Sequence, residues 1–115
     1  MTFKELIVWQ KSIELAKLIY TITGQFPKSE TYGLSSQMQR CAVSIPSNIA
    51  EGHGRNNRKE YTQFLGIAYG STSELETQMI IAKSVYNNID YSPAESILLE
   101  IQKMLAALIQ SLKNY

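Results

Sequence analysis

The chain has 115 residues, 44% of them hydrophobic, and 11 Lys and Arg against 10 Asp and Glu leave a formal net charge of +1. That length suits one domain over residues 1–115, large enough to bury a core without disulfides or metals, and a charge this small names no partner by itself. A single cysteine excludes an internal disulfide and fits a reducing compartment.

Residues 1–12, MTFKELIVWQKS, lack the charged start, apolar run and small-residue cleavage site of a signal peptide. No apolar run approaches the roughly 18 residues of a membrane span. The expectation is a soluble cytoplasmic protein without a membrane partner.

Thr2 and Glu5 form a capping-box pattern, in which each side chain satisfies a backbone N–H at a helix start. Leu6, Trp9, Ile13, Ala16 and Tyr20 then make one apolar stripe, widened by Leu15, Ile19 and Ile22. Gly24 ends the pattern, so the first helix is expected over residues 3–23 and QFPKSETYG at 25–33 as a connection. The second helix is expected over 34–53, with Leu34, Met38, Cys41, Ile45 and Ile49 along one face. Pro46 removes a backbone donor and crowds the carbonyl of Ala42. A kink is expected there rather than a break, because Ile49 and Ala50 continue the pattern, with Ser44, Ser47 and Asn48 serving the backbone groups. Cys41 on the apolar face reads as a buried structural thiol.

Gly52, Gly54, Asn56 and Asn57 mark a tight connection, and Asn57 with Glu60 is a second capping pattern. A long third helix follows to about residue 86 on Tyr61, Phe64, Leu65, Ala68, Thr72, Leu75, Met79, Ala82 and Tyr86. Gly66 and Gly70 cost helix propensity there and suggest close approach of a neighbouring helix. Ser92 as N-cap, Pro93 at the first helical position and Glu95 open a fourth helix over about 93–113. Leu98, Ile101, Leu105, Leu108 and Leu112 space it as a bundle seam. With no strand pattern, the expected class is all-α, an up-down-up-down four-helix bundle with a proline-kinked second helix.

The chemistry that bundles host is mostly missing. Di-metal centres need Glu-x-x-His pairs, but the single histidine, His53, has Ala50 three residues before it. One His and one Cys fall short of a zinc site. Glu74 and Glu76, two apart on a helix, point to different faces. Gly52-x-Gly54 follows a helix and is no dinucleotide fingerprint. The expectation is no enzyme, no cofactor and no metal.

Charge is unevenly distributed: residues 1–60 hold eight Lys and Arg against five Glu, and residues 61–115 hold three Lys against five acids. Arg40, His53, Arg55, Arg58 and Lys59 gather at or before the second connection, where Asn56 and Asn57 add donors and a helix N-terminus favours anions. Those residue types suit phosphate contacts with RNA or DNA that position without reading sequence. Glu51 and Glu60 dilute the patch, and a solvated turn is the competing reading.

SIPSNIAEG at 44–52 followed by Arg55, with LIVWQKS at 6–12, FPKSETYGL at 26–34 and IAYGSTSELETQ at 67–78, resembles the small four-helix-bundle proteins of the 23S rRNA intervening-sequence family. Members of that family are commonly encoded within insertions in ribosomal RNA genes. A related protein, the accessory subunit of diversity-generating retroelements, is a pentameric barrel that binds nucleic acid and a reverse transcriptase. The resemblance implies a homopentamer with a nucleic-acid-linked role and no assigned catalytic activity. A ring gives Glu51, Arg55, Glu74 and Glu76 a use as intersubunit salt bridges. The alternative is a protein–protein adaptor, favoured by near-neutral charge and by aromatics in excess of one stripe (Trp9, Tyr20, Tyr61, Tyr69).

Overall fold

Each of the four periodic segments becomes a helix. The computed structural model describes residues 1–114, with α1 at Ile7–Thr23, α2 at Leu34–His53, α3 at Arg58–Val85 and α4 at Ser92–Lys113. Two 3-10 turns, Phe3–Glu5 and Lys28–Glu30, complete the secondary structure, and no strand occurs among the described residues. The helices pack in a cycle, α1 on α2, α2 on α3, α3 on α4 and α4 on α1, while the diagonal pairs stay apart. The bundle measures 46 × 21 × 20 Å. Among the described residues no helix is long and apolar enough to cross a membrane.

The first helix starts later than its capping pattern implies. The Thr2 N–H does donate to the Glu5 carboxylate at 3.0 Å, but the pair closes a 3-10 turn, and Leu6 is extended before α1 begins. The core register of α1 also differs. Val8, Ser12, Leu15, Ile19 and Ile22 are buried, whereas Trp9, Ile13 and Ala16 are half-buried and Tyr20 is exposed. Ser12 disguises that register, because a buried hydroxyl is tolerated once it is hydrogen-bonded; its Oγ donates to the Trp9 carbonyl at 2.7 Å.

Pro46 is buried inside α2 without interrupting it. The polar residues beside it are spent locally: Ser47 Oγ donates to the Val43 carbonyl and Asn48 Nδ2 to the Ser44 carbonyl, both at 2.8 Å. Asn57 caps α3 as its pattern implies, accepting the Glu60 N–H at 2.8 Å. For α4 the expected cap changes hands. Ser92 is the first helical residue, and the Asp90 carboxylate accepts both its N–H at 3.0 Å and its hydroxyl at 2.6 Å. Those two bonds hold the Asp90 carboxyl below its usual value.

Helices α2 and α3 pack tightly near their joined ends. Gly52 is buried in the last turn of α2, and a Cβ there would lie 2.7 Å from Phe64 Cβ and 3.0 Å from the Tyr61 ring. It is therefore a packing glycine rather than a turn glycine. Further along the same seam the Cys41 thiol donates to the Ser71 carbonyl at 3.0 Å, and burial, with Glu74 nearby, pushes its pKa up to about 12. Gly66 and Gly70 behave in the opposite way: a Cβ on either would meet nothing within 4 Å. The close approach expected of them is not made by any helix of this chain.

Candidate nucleic-acid interface

The basic residues around the α2–α3 turn divide by what holds them. His53, the last residue of α2, packs edge-on against Tyr61 with ring centroids 5.9 Å apart. Arg55 lies down on the bundle: its Nη2 is 3.6 Å from Glu51 Oε2, and its guanidinium sits 5.0 Å from the Phe64 ring centroid. An exposed i,i+4 pair of this kind contributes a few tenths of a kcal/mol, so packing on Phe64 orients Arg55 as much as charge does.

Arg58 and Lys59 open α3 and are exposed. Lys113, the last residue of α4, comes up beside them, and with Thr62, Gln63 and Leu112 the three cations line one shallow cleft at the end of the bundle. Lys113 escapes a linear reading because it is 54 residues from Lys59. Only the packing of α4 on α3 joins them.

Arg40 does not belong to this group. It lies 13 residues before the end of α2, roughly 20 Å at 1.5 Å per residue. There it borders one cleft with Tyr20, Gln39 and Val43 and another with Gln37, Cys41 and Glu74. The four residues expected at a subunit interface are likewise dispersed. Glu51 pairs with Arg55 of its own chain. Glu74 borders α2 beside Cys41, whereas Glu76 turns to α4 and accepts from Gln102 Nε2 at 2.9 Å.

Ion pairs tie the remaining seams, Lys11 to Glu100 at 2.7 Å between α1 and α4 and Lys83 to Glu95 at 3.2 Å between α3 and α4. At the opposite end of the bundle, Glu30 accepts the Tyr86 hydroxyl at 2.5 Å and the Leu34 N–H at 3.1 Å. Those bonds, the tyrosine's first, keep the Glu30 carboxyl below the usual carboxylate range. Among the described residues no three His, Cys, Asp or Glu side chains gather as a metal would require.

The architecture is that of a small helical-bundle protein with a basic cleft at one end. The family model for 23S rRNA-intervening sequence proteins matches residues 4–108, a span that takes in the whole of α1, α2 and α3 and most of α4. The chain belongs to that family. No curated protein matches it.

Proposed function

We propose that this protein is a non-enzymatic, ring-forming accessory protein that holds RNA or DNA through the basic end of each bundle. The observation that carries the nucleic-acid part is the convergence of Arg58, Lys59 and Lys113 on one cleft with the polar side chains of Thr62 and Gln63. Three cations and the Gln63 amide at a helix N-terminus match a phosphate backbone, which needs charge and hydrogen bonds but no base readout. Repetition of the cleft around a ring multiplies a weak contact through avidity. Membership of a family named for the 23S rRNA intervening sequence agrees with a nucleic-acid partner.

Fluorescence anisotropy of labelled structured RNA and duplex DNA, titrated at several salt concentrations, tests this. Micromolar or tighter binding is expected, with the log–log salt slope steepening by roughly 0.7–0.9 per phosphate neutralised. The double variant Lys59→Glu/Lys113→Glu should weaken binding at least about tenfold and flatten that slope. Absence of binding at low salt overturns the proposal. It would favour the second reading, a protein adaptor whose partner is another protein such as a reverse transcriptase, for which the exposed apolar side chains Ile67, Ile80, Ile81 and Val85 speak.

A further inference from the structure

The seam between α3 and α4 is bridged by side chains at two points. Gln102 Nε2 donates to Glu76 Oε1 at 2.9 Å, and Lys83 Nζ meets Glu95 Oε2 at 3.2 Å. The bridges are seven residues apart on each helix, roughly 10 Å at about 1.5 Å per residue. Each contributes one carboxylate, Glu76 from α3 and Glu95 from α4. Between them lies a cleft of about 200 Å³. Met79 and Leu98, each 2% exposed, form its floor, while Ile80 and Leu99, more than half exposed, stand at its rims.

The charge at the two ends is only partly spent. The Gln102 amide is neutral, so it fills one acceptor position of Glu76 and leaves the negative charge uncompensated. Lys83 does oppose Glu95, but these side chains are 58% and 40% exposed, and a pair so open to water is screened and weak. Glu76 and Glu95 are the only charged groups among the described residues that line the cleft. An uncharged apolar ligand would leave both carboxylates unused, and a small cation would leave the floor bare.

We propose that this cleft binds a linear aliphatic diamine, with one ammonium on Glu76, the other on Glu95 and the methylene chain over Met79 and Leu98. An aliphatic ammonium stays protonated at neutral pH, as lysine does, and donates a charge-assisted hydrogen bond to a carboxylate. Its methylenes leave water against the apolar floor, as a lysine stem does while its head stays solvated. A chain of about five methylenes, with bonds of about 1.5 Å, sets its nitrogens roughly 7–8 Å apart. A hydrogen bond at each end then completes the span between the bridges. Lys59 of the basic cleft lies 17 residues before Glu76 on α3, so the site is separate from the nucleic-acid contact and does not depend on it.

Amide NMR of the isotope-labelled full chain, titrated with cadaverine at low salt, tests this. Saturable shifts are expected at residues 76–83 and 95–102, with a dissociation constant of about 1 mM. Pentylamine keeps the chain and loses one ammonium, and ethylenediamine keeps both charges and loses the length; each should bind at least about tenfold more weakly. Glu76→Gln and Glu95→Gln should each lower affinity for cadaverine about tenfold, whereas Glu14→Gln, on the exposed face of α1, should leave it unchanged. Lys83→Met should tighten binding about threefold by removing the cation that competes for Glu95. Circular dichroism melts establish that each variant folds. Equal affinity for pentylamine, or weaker binding to Lys83→Met, overturns the proposal. So do shifts that rise without saturating at acidic residues over the whole surface, which mark nonspecific ion pairing, and the absence of any shift along the α3–α4 seam.

Discussion

Gly52 and the pair Gly66 and Gly70 are all helical, yet they are glycine for opposite reasons. At Gly52 the space for a side chain is already filled by Phe64 and Tyr61 of the same chain, whereas at Gly66 and Gly70 it is empty. The first glycine lets α2 and α3 close on one another within a bundle. The other two cost α3 helix propensity without relieving any contact within the chain. A glycine inside a helix thus marks close approach only where neighbouring atoms fill the space of its missing side chain, as at Gly52.

Substitution at these positions separates the cases. Gly52→Ala is expected to destabilise the fold by about 2 kcal/mol through overpacking, even though alanine improves helix propensity by about 1 kcal/mol. Thermal melts should show a fall of roughly 8 °C, and an unchanged melting temperature would mean that α2 and α3 are not in close contact there. Gly70→Ala should do the reverse in dilute protein, stabilising the single chain by about 1 kcal/mol; denaturant titration reads this directly, and a loss of stability would show that the site is not open.

Gly33 supplies the intermediate case. A Cβ there would lie 2.8 Å from Glu30 Oε1, the far end of a flexible side chain. Gly33→Ala should therefore displace the Glu30 carboxylate from Leu34 and Tyr86 at a smaller loss than Gly52→Ala. The signature is pH dependence. Because the folded pKa of Glu30 lies below its ordinary 4.5, its contribution to stability is complete above that value and disappears as pH falls through the depressed folded pKa. Melts between about pH 6 and pH 2 should show a shallower acid limb for the variant than for the wild type. Equal slopes would remove Glu30 as a source of acid sensitivity.

The candidate site was only partly legible before folding. Arg58 and Lys59 are adjacent in sequence and adjacent in the cleft. Their neighbour Lys113 is distant in sequence, and nothing local to residues 105–113 marks it as their companion. Arg40 is the converse case: fifteen residues before Arg55, it stands with the basic group in sequence, but a continuous run of helix carries it down the bundle. Arg55 illustrates a third effect, since a side chain with a free charge in sequence turns out to lie over Phe64 beside Glu51.

Helix number, helix type and most helix ends were already written in the order of residues. Apolar spacing, the Asn57 cap and the glycines and prolines of the connections act within a turn or two of backbone, so α2 spans Leu34–His53 and α4 ends at Lys113 as their patterns imply. What only tertiary structure decided were choices between locally equivalent options. In α1 two apolar stripes compete, and packing against α2 and α4 buries Val8, Leu15, Ile19 and Ile22 while leaving Tyr20 outside. The same packing fills the space at Gly52, brings Lys113 to Lys59 and sets Glu30 on Tyr86 across 56 residues. Burial and convergence depend on atoms far away in the chain, and no local pattern contains them.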